Sequence, residues 1–123
     1  MEFKYSFEKL EVWQESKDLA KSIYLITGGL PDSEKYGIAN QMRRAAISVS
    51  SNIAEGSSGI SKKSKGYFYE VAYGSLMELY SQLIIMKEIG FLSVSTDLEK
   101  QIYKISNLLN KLQKSTISKH PGN

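Results

Sequence analysis

The stretch Gln41–Gly59, QMRRAAISVSSNIAEGSSG, constrains this chain more than any other. Wound at about 100° per residue, it makes a helix with an apolar face and small residues behind it. Ile38, Met42, Ala45, Val49, Asn52, Ile53 and Gly56 share the face. Gln41, Arg44, Ser48 and Glu55 run along one flank, and Ala39, Arg43, Ala46, Ser50 and Ala54 lie opposite. Short side chains on the back of a helix let another backbone approach closely. The spacing therefore predicts a helix packed on more than one side. No nucleophile stands beside a base here, so the stretch reads as a structural spine.

Glycines and capping residues divide the chain around that spine. Residues 1–7 read as an arm: Phe3, Tyr5 and Phe7 alternate as in a strand, but no partner strand is evident, so the arm is expected to pack on the helices. A first helix starts at Glu8 or Val12 and runs to Thr27, with Val12, Leu19, Ile23 and Ile26 in line. Gly28-Gly29 should end it in the left-handed conformation open to glycine. Pro31 follows, and Asp32 or Ser33 can cap a second helix over 33–55. Ser61 is positioned to cap a third helix reaching Ile89, and Gly90 stops it. A fourth runs from Thr96 to Ser115, on Leu98, Ile102, Ile105, Leu109 and Leu112. Residues 116–123 read as a flexible tail. The expectation is all-α: one domain over 1–123, an antiparallel up-down-up-down four-helix bundle.

The third helix carries two stripes. Phe68, Ala72, Ser75, Leu79, Gln82 and Met86 match a core seam; Tyr69, Tyr73, Leu76, Tyr80 and Ile84 form a second line. Tyrosine suits a surface buried at its ring and polar at its tip. Tyr69, Tyr73, Tyr80 and Ile84 are accordingly candidates for a subunit interface, unless neighbouring elements cover them within one chain. Across the hairpin of helices two and three, Arg44 should face residues 76–78 and pair with Glu78. Glu55 should pair with Lys65 or accept hydrogen bonds in the loop, and Asn52 should bond backbone or a polar neighbour. Arg44, Asn52, Glu55 and Glu78 are thus read as a structural polar network.

Composition narrows the chemistry. The chain has 123 residues, no cysteine and one histidine, His120. Disulfide and thiolate chemistry are excluded, and a cytoplasmic protein fits. No signal peptide is evident, and the longest apolar run, Leu83–Met86, is far short of the about 20 residues that span a bilayer. No Glu-x-x-His pair, no Arg…His ribonuclease pattern and no Walker loop occur. Glu55 and Glu78 lie too far apart for a two-carboxylate site. The reading is of a non-enzyme without cofactor or metal.

Five segments resemble one small bacterial family. They are Phe7-x-x-Leu10-x-Val12-Trp13; Leu30-Pro31 with Glu34 and Tyr36; Gln41-Met42-Arg43-Arg44-Ala45-Ala46-x-Ser48; Asn52-Ile53-Ala54-Glu55-Gly56; and Ala72-x-Gly74-Ser75-x-x-Glu78-Leu79. In order and spacing the chain is similar to the four-helix-bundle proteins of 23S ribosomal RNA intervening sequences, a family that includes accessory proteins of diversity-generating retroelements. That resemblance implies a ring-like homopentamer. Through the accessory members it also implies nucleic acid, and a reverse transcriptase, as partners. It implies no catalytic residue.

The charge pattern bears on partners. The formal net charge is +3. Up-down topology would gather Lys4, Lys9, Lys62, Lys63, Lys65, Lys111, Lys114 and Lys119 at one end. Repeated around a ring, that end would attract phosphates. Lys62, Lys63, Lys65, Lys111 and Lys114 are the candidate nucleic-acid-binding residues, and Tyr5 and Tyr67 could stack on bases. Both arginines of the chain are in helix two, so base-specific reading is not expected. The expectation is an oligomeric bundle that binds RNA or DNA with little sequence preference, as an accessory or scaffold. The alternative is a protein-interaction module whose lysines serve solubility alone.

Overall fold

The computed structural model describes residues 2–117. Within them four α-helices form: α1 (Glu11–Thr27), α2 (Asn40–Ser57), α3 (Lys62–Ile89) and α4 (Thr96–Ser115). No strand occurs among the described residues. Helix α2 packs on α1 and α3, and α4 packs on α3 and α1, making a four-helix bundle. The α2–α3 seam is the most extensive contact.

Leu19 and Ile23 of α1, Met42, Val49 and Ile53 of α2, Leu76, Leu79 and Leu83 of α3, and Ile105 and Leu109 of α4 are fully buried. Each contributes about 1.5–3 kcal/mol through burial of its side chain. The small back of α2 explains its central place. Ala45 and Ala46 are both buried, so α2 is enclosed on two sides. Its Ala46 side also bears Arg43, which reaches α1, while Gln41 and Ser48 meet α3.

The ends of the helices refine the expected boundaries. Ser61 caps α3 by accepting from the Ser64 amide at 3.0 Å, and Ser95 caps α4 by accepting from that of Leu98. Gly90 ends α3 with φ +94°. Gly28, by contrast, stays right-handed at φ −63°. The chain leaves α1 without a left-handed residue, and Leu30 turns back into the core, its amide bonded to Thr27 O. Neither Asp32 nor Ser33 caps the second helix. A 3₁₀ turn at Asp32–Glu34 follows Pro31, then a π turn at Lys35–Ala39, and regular α geometry starts only at Asn40. Gly37 makes this possible with φ −108° and ψ −108°, outside the helical basin.

The arm is mostly uncovered. Phe7 packs edge-on against Trp13 with centroids 4.9 Å apart, but Phe3 and Tyr5 are exposed. A 3₁₀ turn at Ser6–Lys9 joins the arm to α1. The expected tail falls largely on residues 118–123, outside the described residues, as do Lys119 and His120.

Core assignment on α3 also changes. Its buried residues are Tyr69, Ala72, Leu76, Leu79, Gln82, Leu83 and Met86, which mix the two expected stripes. Phe68 and Ser75 are half-buried instead. Tyr69 is 4% exposed, so it belongs to the interior of one chain and is corrected from the list of interface candidates. Tyr73 and Tyr80 pack half-buried against the core, and Ile84 is exposed.

Candidate functional site

Two features carry chemistry: the end of the bundle rich in lysine, and the polar seam of the α2–α3 hairpin.

Side-chain contacts assemble the first. Ser6 Oγ lies 3.1 Å from Ser57 Oγ, tying the arm to the end of α2. Gly66 of α3 stands against Thr116 at the end of α4, so close that a β-carbon would come within 2.9 Å of its hydroxyl. Leu10, Val12, Leu108, Lys111 and Ser115 line one cleft between α1 and α4. These contacts bring Lys62, Lys63 and Lys65 of α3 to the same end as Lys111 and Lys114 of α4.

Glu8 and Glu11 nearby are engaged elsewhere, while Glu55 at the same end is exposed and in no described ion pair. Glu8 accepts the Lys4 and Tyr5 amides at 2.9 and 2.8 Å. Glu11 and Glu15 both hold Lys104, at 3.0 and 3.1 Å, and raise its pKa by these hydrogen bonds. The described ion pairs join Lys104 to these two, Lys35 to Asp32 and Lys87 to Glu99. Among the described residues, none involves Lys62, Lys63, Lys65, Lys111 or Lys114. The first turn of α3 contains no acid, although that end of a helix favours negative charge. Its three lysines therefore add to the positive end of the helix dipole. Tyr67 stands in the next turn, 63% exposed, with its ring edge-on to Phe68 at 5.2 Å.

The hairpin seam differs from the expected network. Arg44 and Glu78 are both exposed and make no ion pair among the described residues. The observed pairs Gln41–Gln82 and Ser48–Ser75 set Arg44 level with Leu79, just past the expected 76–78. Exposure removes the burial that would have forced the two charges together. Instead they line one groove of about 690 Å³ with Tyr24, Gln41, Ile47, Ser48 and Ser75. Glu55 is exposed and does not pair with Lys65; its backbone carbonyl, not its carboxylate, accepts from Ser58. Asn52 donates to Ser48 O at 2.8 Å and to Ser48 Oγ at 3.0 Å, and Ser48 Oγ meets Ser75 Oγ at 2.8 Å. Buried Gln82 reaches Gln41 and Glu78 only at 3.5 and 3.4 Å, and its carbonyl oxygen has no partner.

Sequence reasoning missed the second role of the arginine pair. Arg43 Nε donates to Thr27 Oγ1 at 2.8 Å, its Nη2 to Tyr24 O at 3.2 Å, and its guanidinium lies 4.7 Å from the Tyr24 ring centre. A small, alanine-rich face beside Arg43 was the available signal, because it predicts a helix close enough to be grasped.

Two apolar grooves flank Tyr80. One, about 460 Å³, includes Met77, Ile102 and Tyr103; the other, about 400 Å³, includes Leu83, Ile84 and Val94. No described helix is long and apolar enough to cross a membrane.

Comparison with known proteins bears on the whole bundle. The family model described as 23S rRNA-intervening sequence protein matches residues 8–114. Among solved structures, a protein with unknown function from the S23 ribosomal protein family of Bacteroides thetaiotaomicron is similar, with a TM-score of 0.61 at 19% identity. The match covers 85% of this chain and 90% of that one. At that identity it speaks for the fold. No curated protein matches the chain.

Proposed function

The chain belongs to the 23S rRNA-intervening sequence protein family, and from that premise we propose that it is a non-enzymatic, self-associating bundle that binds RNA or DNA through its lysine-rich end. One observation carries the reading: five lysines at one end have no ion-pair partner among the described residues, while Glu8 and Glu11 beside them are occupied. Phosphates are the ligands such an end accepts, with affinity from counterion release.

The bundle is read as antiparallel, up-down-up-down. In support, the α2–α3 pairs Gln41–Gln82, Ser48–Ser75 and Gly56–Tyr69 descend on α3 as they ascend on α2. The assembly is proposed as a homopentameric ring in the cytoplasm, repeating the basic end around one face. Tyr73, Tyr80 and Ile84 remain its interface candidates, supported by the apolar grooves beside Tyr80. A reverse transcriptase is the proposed protein partner by family resemblance alone.

The test is anisotropy of a labelled structured RNA across salt concentrations. Phosphates neutralised by the five lysines of one chain give a log–log slope of about −3.5 to −4.5, and a steeper one where further chains of the ring meet the same RNA. Reversal of Lys62, Lys63 and Lys65 to Glu should abolish binding and leave the solution mass unchanged. No binding at low salt overturns the nucleic-acid reading and favours the protein-interaction module, to which the exposed apolar grooves would then belong.

A further inference from the structure

The Arg44–Glu78 groove holds opposite charges that do not meet. Both side chains are exposed, and neither is in a described ion pair. The groove also holds unused donors. The Gln41 amide nitrogen makes no described hydrogen bond. Ser48 and Ser75 share one hydroxyl hydrogen between them and have a second to give. Tyr24 and Ile47 form apolar walls, 46% and 44% exposed. An occupant needs a negative and a positive group a short distance apart, apolar side chains, and backbone carbonyls for the donors.

One segment of this chain has that make-up. The arm reads Glu2-Phe3-Lys4-Tyr5, all exposed, with Tyr5 extended at φ −124° and ψ 152°. In extended chain, residues two apart share a side and stand about 6.6 Å apart. Glu2 and Lys4 would then present opposite charges together, with Phe3 and Tyr5 alternating. The arm does not line the groove of its own chain. Ser6 is held at Ser57, 13 residues beyond Arg44, which is about 20 Å along a helix. Glu8 clamps the Lys4 and Tyr5 amides, which leaves Glu2 and Phe3 as the unclamped part of the described arm.

We propose that the N-terminal arm of a second copy lies in the groove between α2 and α3, with Glu2 against Arg44 and Lys4 against Glu78. The inference rests on the self-association reading above and gives it a contact. Arm and groove are different surfaces, so the contact is head-to-tail, the kind that repeats into a ring when its rotation closes.

Charge exchange tests it, with solution mass by light scattering over a dilution series. Glu2→Arg and Arg44→Glu should each weaken assembly by about tenfold or more, and the double variant should recover most of the loss. Lys4→Glu with Glu78→Lys repeats the test on the second pair. All four positions are exposed, and circular dichroism confirms the fold of each variant. Single reversals that leave a wild-type-like oligomer overturn the arm contact while self-association stands. A wild-type protein that stays monomeric overturns the self-association reading, and the arm contact with it.

Discussion

Tyr69 lies directly over Gly56: a β-carbon on Gly56 would come within 2.5 Å of Tyr69 Cε1 and 2.8 Å of Cδ1. The absent side chain is what lets α3 cross the end of α2 with the tyrosine ring buried between them. Gly56→Ala would gain up to about 1 kcal/mol in helix propensity. Overpacking costs about 1–3 kcal/mol, so the clash wins. Urea denaturation should show a net loss of up to about 2 kcal/mol, and Tyr69→Leu in the same chain should recover part of it. An unchanged midpoint would mean that the ring moves aside freely.

Burial also raises the Tyr69 pKa above the ordinary 10.0 by desolvating the phenolate. The unfolded chain therefore loses this proton first as pH rises. Between the unfolded and folded values the unfolded state binds fewer protons, so stability falls with rising pH. The contribution is intact below about pH 10 and is lost above it. Tyr69→Phe should flatten that part of a stability-versus-pH curve. A curve of the same slope in the variant would place the effect on another group.

Adjacent arginines should respond differently. Arg43 grips Thr27 and Tyr24 of α1, while Arg44 has no ion-pair partner among the described residues. Arg43→Ala should lower stability by about 1–3 kcal/mol, since the Thr27 hydroxyl is buried and loses a charged donor. Arg44→Ala should stay within about 0.5 kcal/mol when measured at a concentration where the chain is monomeric. Equal losses in thermal unfolding would contradict these assignments.

Ser48 joins Asn52 to Ser75 across the hairpin. Ser48→Ala and Ser75→Ala should each cost about 0.5–1.5 kcal/mol. Because both remove the same bond, the double variant should lose less than the sum, with a coupling of at least about 0.5 kcal/mol. Strict additivity would show that the two hydroxyls do not depend on each other.

Several of these features were legible in the residues themselves. Helical periodicity, Gly90 and the cap at Ser61 gave four helices and most of their ends. The alanines behind α2 foretold its enclosure on two sides. Other features were not. Asp32 and Ser33 are good capping residues, yet the 3₁₀ and π turns around Gly37 delay α2 to Asn40. The Arg44–Glu78 pair failed because spacing puts charges near one another without saying whether either is buried.

What the sequence determined by itself is therefore local: which residues wind into helices, where those helices stop, and which faces are apolar. The 3.6-residue repeat and the conformational freedom of glycine act over a few residues and need no partner. Only tertiary structure decided which residues of the two stripes on α3 are core, because burial depends on where neighbouring helices lie. It put Tyr69 inside, over the bare backbone of Gly56. It also assigned Arg43 to α1 and left Arg44 at a groove. Two neighbours on one helix point about 100° apart, and only the packing of the other helices decides which of them finds a partner.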